Sequence, residues 1–320
     1  MKHLLGIEDL TRAEADRILD RAESFAEVGK RDIKKVPTLR GRTIVSLFYE
    51  SSTRTSSSFE LAAKRLSADV VSIKAVGSSV DKGESLKDTI ATLSAYDPAA
   101  IVIRSPEAGA AKLVAGWTDA SVVNAGDGKH EHPSQALLDV FTLRRRLGSL
   151  EGTRIWIVGD VLHSRVARSC ILAFGLMGAR VTLCGPPTLI PRGIESAAGV
   201  EVAYDLERVS EADVVYALRM QRERMSDSFV PSLREYAARY QIDSRRLGPR
   251  QLLMHPGPVN RGVELAPEVI DSPQSLITAQ VESGLVVRMA ILYELLTGTE
   301  RTRPERGPAP ADPPRIGQPA

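Results

Sequence analysis

Short β-branched runs recur along this chain, and helical patterns lie between them. "TIVSLFY", "DVVSI", "AAIVIR" and "SVVNAG" occupy its first part, and "RIWIVGD", "RVTLCGP", "ADVVYAL" and "QLLMHPGP" its second. That rhythm constrains the fold more than any other feature, because it belongs to βαβ units and parallel sheets. An α/β chain of 320 residues, 43% of them apolar, has room for two medium domains, each with a mainly parallel sheet flanked by helices. Between the two sets of runs, "HPSQALLDVFTLRRRLGSLEG" reads as a helix opened by Pro133 at its first turn, with Leu137, Val140 and Phe141 on one face. The domain junction is expected there, giving residues 1–133 and 134–280. A last helix over about 281–299 shows Leu285, Met289, Leu292 and Leu296 at helical spacing. Residues 301–320, rich in proline with almost nothing to bury, are expected to be a disordered tail.

Ligands of such sheets sit beyond the carboxyl ends of strands, where the chain turns into a helix. Three segments occupy that position. In "SSTRTSSSFELAAKRL", Phe59, Ala62, Ala63 and Leu66 mark an amphipathic helix, so the hydroxyls around Arg54 fall at its N-terminus. Free N–H groups and the dipole favour a phosphate there, and a guanidinium adds a bidentate clamp; ordinary N-capping by Ser52 or Thr53 explains only one hydroxyl. "NAGDGKHEHPSQ" places His132 and Gln135 three apart on the first turn of a helix, suited to a polar ligand. His130-x-His132 also has a metal-like spacing, but only His3, His163 and His255 remain to complete a zinc set, and no metal is expected. In "LLMHPGPVNRGVE", two prolines stiffen a turn around Gly257 whose carbonyls are placed to accept from an amide NH₂.

Other classes lose their support. Forty-two basic residues against forty acidic ones leave a net charge of +2, without the basic excess of a nucleic-acid binder. The turn after "RIWIVGD" lacks the second and third glycines of a dinucleotide fingerprint, and "GDGKH" lacks the spacing of a P-loop. Two cysteines in no ligand pattern, and no apolar run long enough to span a bilayer, fit a cytoplasmic protein without membrane contact.

Five motifs in order, "SSTRTSSSFE", "SSVDKGESLKDT", "HPSQALLD", "RMQRER" and "HPGPVNRGVE", resemble the aspartate/ornithine carbamoyltransferase family over roughly residues 1–300. The "HPGP" turn, the Lys82 loop and "RMQRER" look like its aspartate branch, which serves pyrimidine biosynthesis; ornithine enzymes have a Cys-containing turn in place of "HPGP". The resemblance implies one domain for carbamoyl phosphate, one for L-aspartate, a C-terminal helix that packs back on the first, and a catalytic homotrimer with active sites between subunits. It implies that Ser52, Thr53, Arg54 and Thr55 hold the phosphate and that Arg104 reaches phosphate and carbonyl oxygen. His132 and Thr55 would donate to that oxygen, and Gln135 with the carbonyls of Gly257 and Pro258 would orient the carbamoyl NH₂. Lys82, Arg165, Arg219 and Gln221 would bind the carboxylates of aspartate. Lys82, with Ser78 or Ser79 beside it, would come from a neighbouring subunit. No cofactor is implied. Regulatory chains or a dihydroorotase are partners that the sequence leaves open. An ornithine-like acceptor, or a non-catalytic assembly protein of the same fold, are the competing readings; three cationic side chains at the acceptor site speak against the first and the unbroken motifs against the second.

Overall fold

A computed structural model describes residues 1–74, 83–221 and 229–297. Helix α1 (Arg12–Gly29) starts in a capping box: Thr11 Oγ1 accepts from the Glu14 N–H, and the Glu14 carboxylate accepts from the Thr11 N–H. The chain then alternates through β1 (Thr43–Phe48), α2 (Thr53–Arg65), β2 (Asp69–Lys74), α3 (Leu86–Ser94), β3 (Ala100–Ser105), α4 (Ala110–Ala115) and β4 (Ser121–Asp127). These four strands form a parallel sheet in the order β2-β1-β3-β4. Helix α5 (Pro133–Leu147) leads out of it, with Pro133 at its first position as the sequence predicts.

The second layer set runs β5 (Arg154–Val158), α6 (Arg165–Leu176), β6 (Arg180–Cys184), α7 (Ile194–Ala198), β7 (Glu201–Ala203), β8 (Val214–Ala217), α8 (Leu233–Tyr240), β9 (Leu252–Met254) and α9 (Pro267–Ile270). Its parallel sheet has the order β7-β6-β5-β8-β9. The three-residue edge strand β7 has no apolar run of its own, and it forms because β6 offers an unpaired edge.

Helix α10 (Ile277–Thr297) returns to pack on α1, α2 and α5. It begins four residues before the expected start at 281, and residues 298–299 lie outside the described residues, as do the tail residues 301–320. The four-residue spacing understates its burial. Met289, Leu292 and Leu296 are buried as expected and Leu285 only partly, but Val286, Val287, Ala290, Ile291 and Leu295 are buried too, because α10 is enclosed by three helices. Helix α5 likewise exceeds its one expected face: every residue from Pro133 to Leu143 is buried among α1, α6, α10 and β4. One apolar cluster therefore runs from Ile44 and Val102 in the first sheet, through α5 and α10, to Ile155 and Leu183 in the second. No described helix is long and apolar enough to cross a membrane.

Both sheets have a point where the strand order reverses, between β1 and β3 and between β5 and β8. Such switch points open a crevice at the strand ends. The segments after β1, β5 and β8 carry Arg54, Arg165 and Arg219 respectively, and Arg104 stands at the end of β3 itself.

Candidate active site

A cleft of about 1250 Å³ opens at these strand ends. Its walls include the Ser52–Thr55 turn, Arg104, His132, Gln135, the arginines at 165 and 219, and the Gly257–Pro258 turn. Of the expected site residues, the described ones thus line one cavity together with Gln221. Lys82, Ser78 and Ser79 lie outside the described residues.

The turn before α2 has both properties read from its hydroxyls. Ser52 caps the helix, its Oγ accepting from the Thr55 N–H at 3.3 Å. Ser56 donates to the Ser52 carbonyl and Ser58 to the Thr55 carbonyl, so those two hydroxyls serve the helix itself. Arg54 crosses the cleft to the opposite wall: a Cβ added to Gly257 would stand 3.1 Å from its guanidinium carbon. Gly257 also has φ +65°, a conformation that side chains other than glycine's disfavour. Burial first, and then the positive charge of Arg219, lower the pKa of Arg54. Two guanidinium groups that feel each other's charge across one cleft favour an anion between them.

Glu50, at the end of the β1 segment, was not singled out in the sequence. Its Oε2 accepts from Arg104 Nε at 3.2 Å and from Arg165 Nη2 at 2.6 Å, which joins the ends of the two sheets. Arg104 also donates to the Ala125 carbonyl, and Arg165 to the Gly128 carbonyl. Arg165 is 3% exposed and lies on Gly126, whose φ of +115° and absent Cβ make room for it. Arg219 Nη2 donates to Gln221 Oε1 at 3.3 Å, and the Gln221 N–H donates to Asp160 at 3.1 Å. Asp160, buried beyond β5, also accepts from His163.

His132 is the residue before α5, and its N–H donates to Ser169 Oγ at 2.8 Å. Ser169 in turn donates to Glu131, which accepts from the Ile7 N–H as well. Burial, the dominant influence, raises the pKa of Glu131. His130 takes another direction: its Nδ1 lies 3.1 Å from Asp127, and it groups with Glu8 and Glu131 rather than with His132. The His130-x-His132 spacing therefore does not bring both imidazoles into the cleft. Gln135 donates from Nε2 to both oxygens of Asp139, at 3.1 and 3.3 Å.

The Gly257–Pro258 peptide is cis. Nδ1 of His255 accepts from the Gly257 N–H at 2.8 Å, so the imidazole proton sits on Nε2, 3.3 Å from Glu264. Burial above all lowers the pKa of His255; Glu264 beside it opposes that shift, and the charges of Arg54 and Arg219 add to it. Glu264 also accepts from the Asn260 N–H, which closes the loop after the turn.

Glu50, Asp139, Asp160 and Gln280 escaped sequence reasoning because each acts on a partner more than 50 residues away. The one local signal was Glu50's place at a strand end, directly before the hydroxyl cluster.

Comparison with known proteins agrees with this geometry. Residues 2–145 match the family model of the aspartate/ornithine carbamoyltransferase carbamoyl-P binding domain, and residues 151–295 that of the Asp/Orn binding domain. An aspartate carbamoyltransferase catalytic subunit from Salinispora arenicola is 58% identical over 307 residues, covering 94% of this chain and 100% of the relative. One from Acidothermus cellulolyticus is 56% identical over 315 residues, covering 97% of each. The crystal structure of aspartate transcarbamoylase from Trypanosoma cruzi in complex with carbamoyl phosphate and aspartate superposes with a TM-score of 0.82 at 31% identity, over 92% of this chain and 97% of that one. The catalytic subunit from M. jannaschii gives 0.82 at 36% identity, over 94% of this chain and 100% of that one. The chain belongs to the aspartate/ornithine carbamoyltransferase family.

Proposed function

We propose that this chain transfers the carbamoyl group of carbamoyl phosphate to the amine of L-aspartate, giving N-carbamoyl-L-aspartate and phosphate. The observation that carries the reading is the convergence of Arg54 and Arg104 from the first sheet with Arg165 and Arg219 from the second on one cleft. Four guanidiniums, two of them sharing Glu50, leave a cleft with a positive excess that suits a phosphate and carboxylates, whereas a cationic acceptor such as ornithine would meet repulsion there. In this reading residues 1–133 bind carbamoyl phosphate and 134–280 bind aspartate. Ser52, Thr53, Arg54 and Thr55 hold the phosphate, and Arg165, Arg219 and Gln221 hold the carboxylates. Lys82 reaches both from a neighbouring subunit of a homotrimer, and the reaction feeds pyrimidine synthesis in the cytoplasm.

The chemistry follows from the donors. The neutral amine adds to the carbamoyl carbon, a C–N bond forms, and negative charge gathers on the carbonyl oxygen. Arg104, Thr55 and His132 stabilise that charge, an effect of roughly 3 kcal/mol per donor. Collapse breaks the C–O bond to phosphate, and the departing phosphate takes the amine proton. Holding the two substrates in contact across the cleft supplies a further large share of the rate.

The test is formation of carbamoylaspartate by the purified chain, with ornithine as the competing acceptor. Activity with aspartate alone, and a loss in Arg219→Ala that falls far more on aspartate than on carbamoyl phosphate, is the expected result. Efficient carbamoylation of ornithine would overturn the assignment.

A further inference from the structure

Asp139 lies one turn beyond Gln135 on α5 and is fully buried. Four side chains from four elements donate to its carboxylate. They are Gln135 Nε2 from α5, Gln280 Nε2 from α10 at 2.7 Å, the Tyr216 hydroxyl from β8 at 2.7 Å, and the Cys170 thiol from α6 at 3.5 Å. Burial pushes the Asp139 carboxyl up to about 6 against these four bonds, so at neutral pH it is ionised and accepts only. The buried Arg288 guanidinium of α10 acts on it electrostatically.

An acceptor-only carboxylate dictates which way a facing amide turns. Gln135 must spend its NH₂ inward, and the other end of the same amide, the oxygen, is what remains for the cleft that Gln135 lines. Gln280 is turned the same way. Its Nε2 points at Asp139, and its Oε1 accepts at 3.0 Å from the backbone N–H of His255, the residue that opens the cis turn. His255 Nδ1 then accepts from the Gly257 N–H, leaving the turn's N–H groups bound inward. One carboxylate thus stands behind two parts of the cleft wall that present neutral acceptors: the Gln135 amide oxygen, and the turn that bears the Gly257 and Pro258 carbonyls.

We propose that Asp139 is a positioning residue that sets the hydrogen-bonding polarity of this wall, so that it accepts from a carbamoyl NH₂ and selects a donor substrate that carries one. The proposal rests on the carbamoyl-transfer reading and deepens it. Asp139 touches no substrate; it acts through Gln135 and Gln280. A merely structural role, gluing α5, α6, α10 and β8, makes no distinction between acyl donors. The positioning role does.

The experiment compares carbamoyl phosphate with acetyl phosphate, in which a methyl group replaces the NH₂. With acetyl phosphate the same amine attacks the acyl carbon, a C–N bond forms, the C–O bond breaks and phosphate leaves with the amine proton, giving N-acetylaspartate. In Asp139→Asn an NH₂ replaces one carboxylate oxygen: at the Oδ1 place it opposes the Gln135 and Gln280 NH₂ groups, and at the Oδ2 place it still stands 3.3 Å from the Gln135 NH₂, so in either placement the hold on Gln135 is loosened. The expected result is a kcat fall of roughly 10²-fold with carbamoyl phosphate, while acetyl phosphate turnover stays within about 3-fold, so that the ratio between donors collapses. Gln280→Met, which leaves Asp139 and Gln135 intact, is expected to shift the same ratio in the same direction by about 10-fold, and it keeps the question open to measurement should the Asn variant not fold. Equal losses with both donors, or no loss, would overturn the role of Asp139. Failure of the unaltered chain to make carbamoylaspartate would instead overturn the reading beneath it, so the two failures are distinct.

Discussion

Gly126→Ala separates the two halves of the site. Gly126 has φ +115°, and a Cβ there would stand 2.9 Å from Nε and 3.0 Å from Cζ of Arg165. Ordinary contact needs about half an ångström more. Arg165 cannot swing away freely, because it is buried and held by Glu50 and the Gly128 carbonyl. The backbone strain costs about 1–3 kcal/mol. Since a shift of about 1 Å in a positioning group costs on the order of 10²-fold, half of that implies roughly a 10-fold fall in kcat/KM for aspartate. The Ser52–Thr55 part of the carbamoyl phosphate side, built on the α2 turn, meets no part of that Cβ, whereas Arg104 is coupled to it through Glu50 and the Ala125 carbonyl. Gly257→Ala is the mirror experiment, because its Cβ meets Arg54 and not Arg165; it is expected to weaken carbamoyl phosphate in preference to aspartate. The assay is the initial rate of carbamoylaspartate formation with each substrate varied in turn, beside a thermal melt of each variant. Should both variants lose the two substrates equally, or should Gly126→Ala melt lower with unchanged aspartate kinetics, the assignment of Arg165 to aspartate and Arg54 to carbamoyl phosphate is wrong.

Two other outcomes are expected. Arg54→Ala and Lys82→Ala chains, each inactive alone, are expected to recover about a quarter of the sites when unfolded, mixed equally and refolded, because a mixed cyclic trimer pairs one intact Arg54 with a neighbour's intact Lys82; mixed trimers without activity would reject the shared site. Asp139 also gives stability a defined pH dependence: its folded pKa of about 6 lies above the unfolded 3.8, so the folded state takes up the proton first and gains stability as pH falls through about 6. The groups facing it are the Tyr216 hydroxyl, the Cys170 thiol and the Arg288 guanidinium, and burial holds the first two protonated well above that range. Between pH 7 and pH 5 the wild type is therefore expected to gain about 1.4 kcal/mol relative to Asp139→Asn in urea unfolding. An unchanged gap between the two proteins would show that the carboxyl does not titrate there.

Much of the fold was legible in residue order. The β-branched runs became strands of two parallel sheets, Pro133 opened α5, and Phe59, Ala62 and Ala63 faced the core from α2. The gathering of the candidate site residues on one cleft was legible for a similar reason. Ser52, Arg54, His132, Gln135 and the Gly257–Pro258 turn all lie in short segments just after strands, where a βα turn exposes backbone donors and acceptors. The start of α10 and the all-round burial of α5 were not legible, because periodicity reports one apolar face and cannot report how many neighbours enclose it.

Local order thus decided which elements form and which chemical groups stand at their ends, since hydrophobic period, proline and helix N-termini act over a few residues. What those groups do to one another depended on the closing of the two sheets around α5 and α10. Glu50 meets Arg165 across 115 positions, and Asp139 meets Gln280 across 141. A carboxylate becomes an anchor for a guanidinium, or the fixer of an amide's direction, only when folding removes water from both partners and leaves them no other way to be satisfied. No spacing along the chain records that loss of water, so the carboxylate that anchors an arginine and the one that accepts from two amides were decided by packing.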